Sequence, residues 1–144
     1  MTLSVLEFGS LVAGVDYVLR PGGYAVVRNS AGQIALISAP AGYVLPGGGQ
    51  EPYESPEAAA IRESYEECGL NIHLQSLIGT VDELVFAKAE GIYFRKRCTF
   101  YRAVLIQQDD CGESDHHLIW VTPAQAGELL WFESQRWAVT TCGP

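Results

Sequence analysis

The sequence predicts a single α/β domain spanning residues 1–144, and three observations support this fold class. The chain has 144 residues, of which 48% are hydrophobic and 18% are charged, a balance typical of one globular domain with a buried core. Short runs rich in β-branched residues alternate with segments that carry helix-capping signals. The apolar runs continue along the chain without an internal repeat or a linker-like break.

The strands are predicted from apolar and β-branched runs bounded by turn residues. Residues 24–29 (YAVVRN) and 33–38 (QIALIS) flank a short turn that contains Gly32, so they are expected to form a hairpin. A polar turn is expected at residues 107–114. Further strands are predicted at residues 74–87, residues 98–106 and His117–Val121.

The helices are predicted from their end signals. Ser55 is a good N-cap, Pro56 suits the first helical turn, and Gly69 is placed to end the helix. The same logic places a short helix at residues 123–130 behind Thr122, and a last helix is expected at residues 134–140.

The helix after Ser55 is expected to have an apolar face and an acidic face. The apolar stripe predicted to be buried consists of Ala58, Ile61, Tyr65 and Cys68. Glu63, Glu66 and Glu67 lie roughly opposite, where each like-charged pair costs about 0.2–0.5 kcal/mol. Arg62 can offset only part of this repulsion through its i, i+4 contact with Glu66. A divalent cation would offset far more.

The acidic helix directly follows the three glycines Gly47–Gly49. Carboxylate oxygens are the ligands that Mg²⁺ or Mn²⁺ prefers, and magnesium is often shared with substrate phosphates. The glycines would let the backbone approach the same metal or its phosphates closely. The spacing therefore indicates metal-assisted hydrolysis of a phosphoanhydride bond.

Residues 48–70 resemble the box that defines the Nudix hydrolase family, G-x5-E-x7-R-E-U-x-E-E-x-G-U, where U is a bulky aliphatic residue. The fixed positions match, and residues 43–47 (YVLPG) resemble the entry to that box. The departure is Ser64, which stands where the pattern asks for an aliphatic side chain. We expect Ser64 on the flank of the buried stripe, where it would affect local packing more than catalysis.

The resemblance implies an α/β/α sandwich around a mixed β-sheet, with the catalytic loop and helix at residues 47–69. It implies Mg²⁺, with Mn²⁺ as a substitute, held by Glu63 and Glu67 with Glu66 as a further ligand and the Gly47 carbonyl completing the shell.

Arg62 would orient the carboxylates of Glu54 and Glu66 through its rigid fork of donors. The general base stays open between Glu63 and a later loop acid. The polar turn carries such acids, of which Glu113 is preferred; the others are Asp109, Asp110 and Asp115.

The implied reaction is hydrolysis of a nucleoside diphosphate linked to another group, foremost a nucleoside triphosphate, oxidised or not, to a monophosphate and pyrophosphate. A dinucleotide or a nucleotide sugar is the alternative within the family. The marker residues that ADP-ribose and dinucleoside polyphosphate hydrolases carry beyond the box are absent at residues 85–88. From another class, a domain that only binds or senses a nucleotide is also possible, although a pure binder does not need the full set of acids.

The aromatic residue that would stack on the base is left open among Phe8, Tyr17, Tyr24, Phe86, Tyr93, Phe94, Trp120, Trp131 and Trp137. The basic cluster of Arg95, Lys96 and Arg97 is expected to form a solvated turn, with steering of a polyphosphate as the alternative.

The formal net charge of -8 excludes long nucleic acid as an expected partner. Glu7 and Asp16 interrupt the first apolar stretch and no basic leader precedes it, so we expect neither a signal peptide nor a membrane span, and a cytoplasmic location. The four cysteines are scattered without a C-x-x-C pair, which favours reduced thiols. A small-molecule nucleotide is the expected partner of a monomer or homodimer.

Overall fold

The computed structural model describes residues 5–40, 42–110 and 116–143. The strands are β1 Leu6–Phe8, β2 Val18–Arg28, β3 Ile34–Ala39, β4 Gly42–Val44, β5 Gly47–Gly49, β6 Leu70–Ala87, β7 Ile92–Gln108 and β8 His117–Val121. The helices are α1 Pro56–Cys68, α2 Pro123–Leu129 and α3 Glu133–Cys142. Each predicted strand and helix is present. However, β2, β6 and β7 begin before the predicted first residues, and β7 runs to Gln108, into the segment predicted as a turn.

The sheet is mixed, as the family resemblance implies. Its strand order is β1-β6-β7-β2-β3-β4, with β5 paired to β2 and β8 paired to β3. β2 and β7 run parallel over their whole contact, whereas β6 and β7 form a long antiparallel pair with three register shifts. The predicted hairpin joins β2 to β3.

Alternation along β2 divides the core between the two faces of the sheet. Ala25 and Val27 belong to a core cluster that includes Cys68 of α1. Tyr24 and Val26 belong to a second cluster, which includes residues of α2 and α3. Helices therefore cover both faces, and the α/β/α sandwich is confirmed.

Helix α1 begins and ends at the predicted caps. Ser55 Oγ accepts the Ala58 N–H at 3.1 Å, and Gly69 ends the helix in the left-handed conformation. In α2, Thr122 and Gln125 form a capping box. None of the helices in the described residues is long and apolar enough to cross a membrane. Within the same residues the cysteines are free thiols.

The predicted buried stripe of α1 was wrong at Ala58, Ile61 and Tyr65. Ile61 and Tyr65 are 44% and 49% exposed and Ala58 is exposed, whereas the buried residues of the helix are Ala59, Ala60, Ser64 and Cys68.

The cause is the short distance between α1 and β2. A Cβ on Gly23 would lie 1.9 Å from the Pro56 carbonyl oxygen, so the helix backbone rests almost directly on the strand. Only small side chains fit between them. Ser64 is therefore fully buried rather than on the flank, and its Oγ has no hydrogen-bond partner.

Candidate active site

The glycine strand β5 brings the loop backbone against the acidic helix. β5 pairs with β2, placing Gly48 opposite Gly23. A Cβ on Gly48 would lie 2.8 Å from the carboxylate carbon of Glu63, well inside van der Waals contact. Glycine at this position therefore allows the Glu63 carboxylate to rest against the loop.

Arg62 gathers the acidic side chains as the sequence predicts. Its Nε and Nη2 donate to the two oxygens of Glu54 at 2.8 and 2.9 Å, a bidentate pair. Its Nη1 donates to Glu63 at 2.8 Å and to Glu66 at 3.1 Å, and Nη2 also reaches the Gly49 carbonyl oxygen at 3.1 Å. These hydrogen bonds lower the pKa of Glu54 to about 2 and raise the pKa of Arg62. Arg62 thus ties the loop to three carboxylates.

Glu67 lies deeper in the same cluster, against the backbone of the glycine loop. Its Oε1 accepts the Gly47 N–H at 3.0 Å. Burial, reinforced by the charges of Glu63 and Glu66, raises the pKa of Glu67 to about 7 against the opposing effect of that hydrogen bond. The cluster thus contains four carboxylates, those of Glu54, Glu63, Glu66 and Glu67, and one guanidinium, that of Arg62.

The acidic cluster fits a hard divalent cation by its chemistry, although its side chains are not arranged around one point. Within residues 5–40, 42–110 and 116–143, no three acidic, histidine or cysteine side chains are grouped to hold a metal ion. Arg62 accounts for this, because it binds the carboxylates of Glu63 and Glu66 itself. The donors are nonetheless all oxygens, as Mg²⁺ and Mn²⁺ prefer, and they adjoin the Gly47 backbone.

A cavity of about 550 Å³ adjoins this cluster through Gly48 and Gly49, which form part of its wall. The two cationic side chains in its lining are Arg20 and Lys96. Its aromatic lining residues are Tyr24, Phe86, Phe94, Trp131 and Phe132. Four of these were among the open stacking candidates, and Phe132 was missed. By contrast, Trp137 packs in the core against Phe8 and Phe100.

The basic cluster is not a solvated turn, because all three of its residues lie within β7. Arg95 and Arg97 bind the buried carboxylate of Asp82 at 3.1 and 2.9 Å. Lys96 points to the other face, into the cavity. If residues 92–98 had been recognised as a strand, its alternation would have predicted that Lys96 faces away from Arg95 and Arg97.

Tyr101 and Glu57 form a further polar pair that sequence reasoning missed. The Tyr101 hydroxyl donates to Glu57 Oε1 at 2.7 Å, which lowers the Glu57 pKa. The two residues are 44 positions apart, so no local pattern could pair them.

The loop acids are only partly described. Asp109 accepts hydrogen bonds from Asn71 at 3.0 Å and Gln107 at 2.6 Å. Its backbone N–H donates to the carbonyl of Gly69, so it follows the end of α1 closely. Glu113 and Asp115 lie outside the described residues, and the role of Glu113 stays a prediction.

Comparison with known proteins identifies the family. A model of the NUDIX domain matches residues 18–140. Diphosphoinositol polyphosphate phosphohydrolase 3-alpha from Mus musculus is 41% identical over 54 residues, which are 35% of this chain and 33% of that protein. The chain thus matches about a third of the length of this curated relative.

Solved structures share the fold. A MutT protein from Methanosarcina mazei Go1 matches with a TM-score of 0.70 and 17% identity, covering 88% of this chain and 94% of that one. An Ap4A hydrolase from C. elegans, solved as a binary complex, matches with a TM-score of 0.67 and 22% identity over 85% of this chain and 94% of that one. At these identities the likeness shows the fold alone, whereas the domain match covers most of the sequence. The chain therefore belongs to the Nudix hydrolase family, whose enzymes act on pyrophosphate bonds.

Proposed function

We propose that this protein hydrolyses a phosphoanhydride bond of a nucleoside diphosphate derivative with Mg²⁺, converting a nucleoside triphosphate to a monophosphate and pyrophosphate. The observation that supports this most is that Gly48 and Gly49 border both the acidic cluster and the cavity. On one side lies the carboxylate of Glu63, and on the other lies an aromatic cavity with two cations. A base in the cavity would place its polyphosphate next to the acids.

The metal would be held by Glu63, Glu66 and Glu67 together with the Gly47 carbonyl. When bound, a divalent cation neutralises phosphate oxygens and lowers the pKa of a coordinated water. Glu67 stays fixed to the loop through the Gly47 N–H. Arg62 holds Glu54 in a bidentate pair and limits the positions that Glu63 and Glu66 can take.

The proton of the attacking water needs a carboxylate acceptor. Glu63 is one candidate, because its carboxylate rests against Gly48 at the mouth of the cavity. The other candidate is an acid of the polar turn, of which Glu113 is preferred. Rates of the Glu63→Gln and Glu113→Gln proteins across pH would distinguish them, because loss of the base removes the acidic limb of the profile.

The size and charge of the cavity favour one nucleotide over more highly phosphorylated substrates. A volume of about 550 Å³ lies within the range of pockets for small molecules. The similar mouse protein is named for diphosphoinositol polyphosphates, which present many phosphates. Arg20 and Lys96 are the two basic residues in this cavity lining, and the chain carries a net charge of -8. Such a surface suits a single polyphosphate chain better.

A dinucleotide or nucleotide sugar remains the alternative substrate, and a non-catalytic nucleotide sensor remains the alternative class.

We also propose that residues 1–144 act as one domain, because the two core clusters lie on opposite faces of one sheet.

The test is a screen of nucleotides with magnesium that records both phosphate products and thermal shift. Glu63→Gln and Glu67→Gln should each lower turnover by at least about 100-fold, because each removes a charge that would bind the metal. Glu128→Gln is the matched control, since Glu128 is an exposed glutamate on α2. Wild-type turnover in both test variants would refute the proposed site. Stabilisation by a nucleotide without any product would favour the sensor.

A further inference from the structure

The ammonium of Lys96 is the unusual feature of the cavity. It lies 4.3 Å from the ring centroid of Phe132 and 5.7 Å from that of Tyr24. Both distances are those of cation–π contacts, which give no hydrogen-bond acceptor for the N–H groups. Lys96 is partly buried, and burial lowers its pKa.

In the described part of the chain, no carboxylate lies within ion-pairing distance of this ammonium, although the charge of Glu83 opposes the effect of burial on its pKa. Glu83 is the cross-strand partner of Lys96 in the register of β6 and β7. However, Glu83 is 5% exposed and its Oε1 accepts the Ser134 N–H at 2.9 Å, at the start of α3. Among the ion pairs of the described residues, none involves Lys96. A partly desolvated donor that faces a cavity gains most from a ligand that brings an acceptor.

Arg20 and Lys96 are register partners on the neighbouring strands β2 and β7, but their side chains make different contacts. Arg20 lies beside the glycine loop, with its Nε 3.6 Å from where a Cβ on Gly49 would stand, close to the expected phosphates. Lys96 lies against Phe132, which is the N-cap residue of α3. The Arg20 guanidinium lies over the Phe94 ring, 5.1 Å from its centroid, whereas the lysine lies at the end of the cavity formed by Trp131 and Phe132, which we call the aromatic end.

The aromatic end can hold a base by stacking. Trp131 lines the cavity and is 59% exposed, so its ring is accessible to a ligand, whereas the Phe86 ring packs against Tyr93 at a centroid distance of 4.6 Å. The near face of Phe132 is taken by the ammonium. A base stacked on Trp131, the residue before Phe132, would consequently present its edge to Lys96.

The chemistry of the lining then discriminates between base edges. Among the described residues, the polar side chains of the lining carry the guanidinium, ammonium and indole donors of Arg20, Lys96 and Trp131 and the Tyr24 hydroxyl, and they include no carboxylate or side-chain amide. Guanine and the uracil or thymine ring present keto oxygens as acceptors, whereas adenine and cytosine present amino donors at the corresponding positions. An amino group facing Lys96 would leave two donors opposed.

We propose that Lys96 is a specificity-determining residue that selects nucleotides with a keto group on the base over those with an amino group. This inference rests on the proposed function, because it assumes that a nucleotide occupies the cavity.

The test compares two pairs of substrates that differ at one position, UTP with CTP and ITP with ATP. We expect the wild-type protein to prefer the keto member of each pair by at least about tenfold in kcat/KM, the discrimination typical of one buried hydrogen bond. In Lys96→Met, kcat/KM for UTP and ITP should fall while kcat/KM for CTP and ATP changes little. The preference for the keto member of each pair should therefore drop below about threefold. Lys88→Met is the matched control, because Lys88 is the other lysine of the chain and is exposed.

Three outcomes would overturn the inference. The first is equal wild-type rates within both pairs, and the second is a wild-type preference for the amino members. The third is an equal loss of kcat/KM on all four substrates in Lys96→Met, which would assign Lys96 to a phosphate. Should Lys96→Met unfold, Lys96→Arg keeps the donors and should keep the keto preference. Absence of turnover on all four substrates would count against the proposed function instead. Calorimetric binding of UMP and CMP would then still test the base preference.

Discussion

Replacing Gly48 by alanine should slow turnover without unfolding the protein. The new Cβ would lie 2.8 Å from the Glu63 carboxylate carbon, whereas ordinary contact begins near 3.4 Å. The atoms it meets belong to the flexible end of a side chain, so the fold can accommodate the methyl group by moving that carboxylate. Gly48 has no positive φ, and removing a glycine lowers the entropy of the unfolded chain. The melting temperature should therefore stay the same or rise.

The effect on rate follows from how far Glu63 must move. Restoring ordinary contact requires a shift of more than half an ångström, and misplacement on the order of 1 Å costs about 100-fold. We expect kcat for the best nucleotide to fall about 10- to 100-fold in Gly48→Ala. Gly49→Ala is the matched control, since its Cβ would meet Arg20 Nε at an ordinary 3.6 Å. Equal kcat in wild type and Gly48→Ala, with the methyl group confirmed by mass, would refute the role of Glu63. An equal loss in Gly49→Ala would refute the geometric reason.

Three further predictions concern the acidic helix. The pKa of Glu67 is raised from 4.5 to about 7 in the folded protein. Between these two pH values, the folded protein therefore keeps a proton that the unfolded chain has released. In EDTA, stability should therefore fall by about 2 kcal/mol, or about 7 °C in Tm, from pH 5.5 to pH 8. Glu67→Gln should remove this decrease, and an unchanged pH profile in that variant would contradict the assignment. Ser64→Ala should stabilise the protein by about 1 kcal/mol in denaturant titrations, because the buried Oγ lacks a partner; destabilisation would indicate an unrecognised hydrogen bond. Arg62→Lys should lower kcat about 10- to 100-fold, because lysine cannot make the bidentate pair with Glu54. A wild-type rate would show that this pair does not position the site.

The sequence predicted the contacts of the box because they are local. Arg62 reaches Glu66 across four positions of α1, a contact that helical spacing predicts. Its contact with Glu54, which precedes the N-cap Ser55, was implied by the resemblance to the Nudix box. The acids of one helix could thus be recognised as one cluster from their spacing along the chain.

The buried face of α1 was not predicted correctly, because it depends on how closely the helix approaches the sheet. Hydrophobicity favours Ile61 and Tyr65 as the buried residues, but the contact between Gly23 and the start of the helix admits only small ones. Ser64 takes that place despite its hydroxyl. Packing distance overrode the apolar pattern.

The cavity could not be predicted because its walls come from distant parts of the chain. Lys96 and Phe132 are 36 positions apart, and Arg20 reaches Lys96 only through the parallel register of β2 and β7. Such pairing between distant strands leaves no trace in local periodicity.

We propose above that the crowded glutamates hold divalent cations that carry a polyphosphate. Crystals grown with Mn²⁺ and a non-hydrolysable nucleoside triphosphate would test this through anomalous diffraction. We predict a manganese peak about 2.0–2.3 Å from carboxylate oxygens of Glu63 and Glu67 and from a phosphate oxygen, with the base in the cavity beyond Gly48. A well-ordered nucleotide bound elsewhere, with no anomalous peak at these carboxylates, would contradict it.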